Sequence, residues 1–201
     1  MDTFVASGLR FEDTELARFL AAHGYSCVEA LHACAAAQPE RFWREVEQAL
    51  GLHWATPYQR VCELARGPAW PRWFAGGELD LHDNLVGRIA REAPQRPALL
   101  WEGDDGRVRV HDYAALDDEV CRFAAGLAGL GVSSGDRVAM YLPMVPEAAV
   151  VLLACARLGA IGLPLFSGYG ADAVASRLQD SGAKLLVCAD GYLRRGRQVD
   201  M

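Results

Sequence analysis

Between Arg137 and Cys188, apolar strand-like runs alternate with stretches of helical length, and no other feature of the sequence restricts the fold as much. Residues 138–142 lead through Pro143 and Pro146 to a helical stretch ending near Leu158. Residues 161–166 lead through Ser167-Gly168-Tyr169-Gly170 to a second one ending near Asp180, and residues 184–188 form one more strand. Strands that are apolar on both sides and separated by helices of this length pair as parallel neighbours, joined by crossovers that cover the sheet. The expected class is α/β, with a mainly parallel and incomplete sheet and covering helices. Upstream, Leu81, Leu85 and Ile89 mark a helix, and residues 98–101 and 108–110 form a hairpin around 103–106. Residues 113–130 form a longer helix whose apolar face, Leu116, Val120, Phe123, Leu127 and Leu130, stops at Gly131.

Residues 1 to about 85 read as helices without strands. Ser26-Cys27-Val28-Glu29 has the form of a capping box, and Gln38-Pro39 restarts a helix with proline in its first turn, where the missing N–H costs nothing. That helix carries Phe42, Val46, Ala49 and Leu50 on one face before Gly51. The stretch 53–77, with three prolines and three tryptophans, reads as an irregular wrap whose indoles need a surface to pack on.

Charge narrows the range of partners. Twenty Lys and Arg against 26 Asp and Glu give a net charge of −6, which disfavours nucleic acid, whose phosphates are bound by clustered basic residues. The longest apolar run, 148–156, falls well short of the roughly eighteen residues needed to cross a bilayer, and the start Met1-Asp2-Thr3 has no signal-peptide pattern, so a cytoplasmic location is expected. The six cysteines never form Cys-x-x-Cys and are expected as free thiols. No Gly-x-Ser-x-Gly anchors a hydrolase triad.

Three constellations carry chemistry. Gly168-Tyr169-Gly170-Ala171-Asp172-Ala173 has the Gly-x-Gly-x-x-Ala form between a strand and a helix, with Asp190 at the end of the next strand, as in a dinucleotide site; a tight glycine turn is the plain alternative. Arg194, Arg195 and Arg197 follow the last strand, where guanidinium forks suit phosphate oxygens; a solvated basic tail is the plain alternative. His23, Cys27, His32 and Cys34 invite a zinc assignment, but Gly24 ends one helix, and two-residue spacing turns His32 and Cys34 to different sides of the next.

Taken together, three stretches resemble the AMP-forming acyl-CoA synthetases, in the acetyl-CoA synthetase-like branch of the adenylate-forming superfamily. The first is Trp70-Pro71-Arg72-Trp73-Phe74-Ala75-Gly76-Gly77-Glu78-Leu79-Asp80-Leu81 with Asn84. The second is Gly135-Asp136-Arg137-Val138 through Pro143-Met144-Val145-Pro146-Glu147, followed by Arg157-Leu158-Gly159-Ala160. The third is Phe166-Ser167-Gly168-Tyr169 with Ala189-Asp190-Gly191 and Arg194-Arg195-Gly196-Arg197. Asp80, where the family often has Asn, and Gly162 depart from the pattern.

The resemblance covers residues 36–201. It implies an N-terminal extension over 36–85 and the first part of the AMP-binding (adenylation) domain over 86–201, with residues 1–35 a helical segment lacking a clear counterpart. It also implies a reaction in which carboxylate, ATP with Mg²⁺, and coenzyme A give acyl-CoA, AMP and pyrophosphate. By position, Phe166, Ser167 and Gly168 match the family's strip against the CoA adenine, and Arg194 and Arg197 match its phosphate-holding pair. The family's Ser/Thr/Gly-rich phosphate loop, its acidic ribose motif and its C-terminal lysine have no match here. A whole enzyme of this kind is about three times longer. The expectation is an N-terminal, truncated and by itself inactive piece of the synthetase, without catalytic or metal-binding residues, for which coenzyme A and ATP with Mg²⁺ are substrates of the intact enzyme and none is bound tightly by this piece. The alternatives are a small dinucleotide-binding module using Gly168, Gly170 and Asp190, and a non-catalytic fragment docking through its sheet edge and Trp-rich wrap.

Overall fold

The computed structural model describes residues 10–201; the part of the 1–35 segment before Arg10 lies outside them. The chain divides into a unit running to Leu79 and another from Asp80 to Met201.

The first unit opens with a 3₁₀ turn (Phe11–Asp13) and three helices, α1 (Glu15–His23), α2 (Val28–Ala37) and α3 (Pro39–Leu50). Gly24 and Gly51 end α1 and α3 at φ 73° and 58°, in the left-handed region that glycine enters without steric cost. The capping box expected at Ser26 does not form. Cys27 holds the cap position of α2 without a side-chain bond, and the Ser26 hydroxyl lies beside the Cys27 sulfur. The wrap is also more ordered than its composition suggests. Strands β1 (Arg60–Glu63) and β2 (Arg72–Ala75) form an antiparallel hairpin, which corrects the reading of this region as strandless. Trp54 packs against Tyr58 and Phe74, with centroids 5.2 and 5.4 Å away, and its indole N–H donates to Glu47 Oε1 at 2.8 Å. A Cβ on Gly77 would lie 2.6 Å from the Trp54 ring, so this residue must stay small.

The second unit starts where Asp80 Oδ1 accepts the Asp83 N–H at 2.9 Å, so aspartate does the capping work that asparagine could also do. A π-helical turn (Asp83–Gly87) runs into α4 (Arg88–Glu92). Then come the hairpin β3 (Pro97–Glu102) and β4 (Val108–Asp112), helix α5 (Tyr113–Gly129), and the alternation β5 (Arg137–Tyr141), α6 (Pro146–Leu158), β6 (Ile161–Leu165), α7 (Ala171–Ser181), β7 (Leu185–Cys188). The last three strands make a parallel sheet in the order β6-β5-β7, with Val138 beside both Gly162 and Leu185.

Strand alternation divides β5 between two cores. Val138 and Met140 pack with Leu116, Val120, Val151 and Ala154 of α5 and α6, while Ala139 packs with Leu165 of β6 and Val174 of α7 on the opposite face. Gly162 is explained by the same packing, since a Cβ there would come within 2.9 Å of the Leu152 side chain of α6. The basic ending is not a tail. It folds as a separate antiparallel hairpin, β8 (Gly191–Arg194) and β9 (Arg197–Asp200).

Candidate functional site

The carboxyl ends of β5 and β6 open into a cavity of about 420 Å³, the place where ligands enter open parallel sheets. Its walls include Trp101 and Asp104 near the β3–β4 turn, Met144 after β5, Phe166 and Ser167 after β6, and Arg194 on β8. Short-range geometry holds each wall. The Trp101 indole N–H donates to the Met144 carbonyl at 2.7 Å, tying the loop after β5 to β3. The Tyr141 hydroxyl, at the end of β5, donates to the Tyr169 carbonyl at 2.6 Å and lies 3.3 Å from that of Ser167, which pins the loop after β6.

Phe166 is 63% exposed, an uncommon state for a phenylalanine in a packed layer. Its ring meets Tyr169 edge-on at 5.5 Å and lies over Gly168, where a Cβ would sit 2.6 Å from the ring edge. Gly168 thus lets one edge of the aromatic ring come close to the backbone. Arg194 and Arg197 are cross-strand partners in the β8–β9 hairpin, so both guanidinium groups leave the same face. Among the described residues neither is in an ion pair. Of the sequence-derived set, Phe166, Ser167 and Arg194 line the cavity directly; Gly168 supports Phe166, and Arg197 stands opposite Arg194.

Asp105 is held below the ordinary carboxylate range, chiefly by the Arg107 backbone N–H and then by its guanidinium. The cavity offers an aromatic face and backbone, the cations Arg107 and Arg194, and the carboxylates Glu102, Asp104 and Asp105, which is binding chemistry. It presents no nucleophile beside a base.

The dinucleotide layout does not assemble. Gly170 caps α7 at φ −75°, so its conformational freedom is unused, and the space at Gly168 belongs to the Phe166 ring. Asp190 follows β7, which lies across β5 from β6, whereas the ribose carboxylate of such a site belongs on the neighbouring strand. The His23, Cys27, His32, Cys34 set does not gather either: His23 packs at a tilt against Phe19 with centroids 4.5 Å apart, and Cys34 faces the Tyr25 hydroxyl at 3.1 Å.

A buried group that sequence reading passed over lies elsewhere in this unit. His82, Asp117 and Cys121 converge within 4.8 Å. Arg157 Nη1 sits 2.9 Å from His82 Nδ1, and a guanidinium can only donate, so Nδ1 carries the lone pair and Nε2 the proton. That proton faces Asp117 Oδ1 at 3.0 Å, off the axis of a good hydrogen bond. With Nε2 protonated and a cation beside Nδ1, the cluster is a neutral structural link among the helix start, α5 and α6.

A parallel layer with its cavity at the strand ends, walled by an exposed aromatic ring and by one of two cross-strand arginines, defines an α/β protein with an open cleft at the carboxyl ends of its strands. Residues 86–200 match the family model described as AMP-binding enzyme, and residues 28–85 match that of the acetyl-coenzyme A synthetase N-terminus; the chain belongs to the AMP-binding enzyme family. Acetyl-coenzyme A synthetase of Deinococcus radiodurans is 42% identical over 165 residues, covering 82% of this chain and 25% of that protein. The enzyme of Escherichia coli O6:H1 is 42% identical over 176 residues, 86% and 27% of the two chains. The chain therefore spans about a quarter of the length of the curated relatives it matches. Acetoacetyl-CoA synthetase from Streptomyces lividans superposes with a TM-score of 0.83 at 31% identity, over 94% of this chain and 30% of that one. The fold is that of the N-terminal part of the adenylate-forming synthetases. Among the described residues no helix is long and apolar enough to cross a membrane.

Proposed function

We propose that this chain supplies the coenzyme A side of an AMP-forming acyl-CoA synthetase. In that reading Phe166, Ser167 and Gly168 lie along the adenine, while Arg194 and Arg197 hold phosphate oxygens. Residues 36–85 serve as the N-terminal extension and 86–201 as the first part of the adenylation domain, in a cytoplasmic setting. The whole protein would join a small carboxylate to ATP, supplied with Mg²⁺, release pyrophosphate, and pass the acyl group to the CoA thiol. The acyl group is left unassigned.

One observation carries this reading. An exposed Phe166 ring and the Arg194 guanidinium face one cavity, with Arg197 directly opposite Arg194 and no carboxylate paired with either among the described residues. Like charges set across a hairpin disfavour it by themselves, and a bound phosphate removes the conflict.

Calorimetric titration of the 201-residue chain with CoA and, separately, NAD tests the reading. CoA should bind, weakly in the absence of the rest of the enzyme, and NAD should not. The double variant Arg194→Ala/Arg197→Ala should weaken CoA by roughly tenfold or more, because charged hydrogen bonds are lost. Salt should weaken the wild type more than the variant. NAD binding at least as tight as CoA, or a double variant equal to wild type, would refute it.

A further inference from the structure

We propose that Asp104 is a positioning residue for the arginine pair: its carboxylate fixes the β8–β9 turn so that Arg194 and Arg197 meet one phosphate-bearing ligand together. The inference rests on the reading above and extends it to a residue on the β3–β4 connection.

The turn itself is conformationally costly. Arg195 and Gly196 form its two-residue centre at φ 52° and 73°, a left-handed pair that ordinarily takes Asn, Asp or Gly first. Arginine at that position is strained, because its Cβ crowds the following carbonyl. The hairpin stands apart from the three-stranded sheet as its own two-stranded pair, an arrangement that is marginal without outside contacts. Its far end is closed by the Met201 N–H on the Asp190 carbonyl at 3.0 Å. Its turn end is held by Asp104, whose Oδ2 accepts the Arg195 backbone N–H at 2.6 Å, a charge-assisted bond joining positions 91 residues apart. The adjacent carboxylate is already occupied, because Asp105 is paired with Arg107.

Asp104 also lines the same cavity as Arg194. Its carboxylate therefore clamps the strained turn at the edge of the cavity that Arg194 lines. Without that clamp the turn can relax, and the two forks lose their common aim at one anion.

The test is binding of adenosine 3′,5′-bisphosphate, with adenosine as the phosphate-free probe, by nuclear magnetic resonance titration of the full chain. Asp104→Ala should weaken the bisphosphate roughly three- to tenfold, because one charge-assisted hydrogen bond no longer holds the turn, and should leave adenosine unchanged. Asp104→Asn should recover most of the loss, since its amide oxygen still accepts the Arg195 N–H. Damage to the fold at large would weaken both probes and would not be rescued by asparagine. If Asp104→Ala binds the bisphosphate like wild type while Arg194→Ala binds it less well, this inference is overturned and the ligand assignment stands. If Arg194→Ala also binds like wild type, the ligand assignment fails and this inference fails with it.

Discussion

Arg137 closes the amino end of the sheet, and replacing it should have a measurable cost. Its Nε and Nη2 donate to the Ser181 and Gly182 carbonyls, each at 3.0 Å, and Nη1 donates to the Gly135 carbonyl at 3.1 Å. The first two acceptors are unpaired carbonyls at the end of α7, so one side chain satisfies the helix terminus and places a cation at its negative pole. Three such bonds in a half-buried setting contribute about 0.5–1 kcal/mol each, with a few tenths more from the helix dipole. Arg137→Met keeps the aliphatic stem and should destabilise the second unit by about 2–3 kcal/mol, a fall in Tm of roughly 6–12 °C. Arg137→Lys keeps the charge but not the planar fork, and should lie between the two. Urea unfolding followed by far-UV circular dichroism reads both variants. A methionine variant within about 0.5 kcal/mol of wild type would show that these bonds only replace equivalent bonds to water.

Acid should act through Asp136, whose carboxyl is pushed down to about 2 by the Lys184 ammonium and then by the Ser133 N–H and hydroxyl. Because its folded value lies below the ordinary 3.8, its contribution is complete above that pH and is lost as pH falls toward 2; Asp136→Asn should flatten a stability profile over that window. His82 is shifted below its ordinary 6.5, first by burial and then by Arg157, so the unfolded chain takes its proton more readily. Stability should therefore decline as pH drops below 6.5, and His82→Gln should remove that part of the slope. In the first unit, Gly77→Ala should cost about 1–3 kcal/mol, because its Cβ meets the Trp54 ring at 2.6 Å; an unchanged melt would mean that the aromatic cluster shifts freely.

The parallel layer could be read from sequence because each strand there is an apolar run bounded by a helix with a clear stop, and the central one, β5, is buried on both faces. Gly131 and Gly159 mark two such stops, both at positive φ. Of the three hairpins outside it, β3–β4 was legible around its turn, whereas the other two could not be read in the same way. In β1–β2, prolines and exposed residues break the alternation, and pairing depends on aromatic packing that local pattern does not encode. In β8–β9 the signal was Arg195-Gly196, a dipeptide whose first member is a poor occupant of its own conformation and so reads as part of a basic tail. Phe166, Ser167 and Gly168 were visible through their resemblance to the family's strip after the same strand, not through local pattern alone. Asp104 left no such trace, since it meets Arg195 only after a hairpin and a sheet have brought distant segments together. The dinucleotide pattern misled because local spacing does not say on which side of β5 the next strand will lie.

The strand order β6-β5-β7 also governs the sequence in which the layer can be assembled as the chain is made. The central strand is synthesised first, β6 then joins one side of it after α6, and β7 joins the other side after α7. Each newcomer meets an edge that is already built, and none has to be threaded between two strands that have paired. Growth outward from a finished centre lets a parallel sheet, whose contacts are otherwise slow to form, take shape in step with translation.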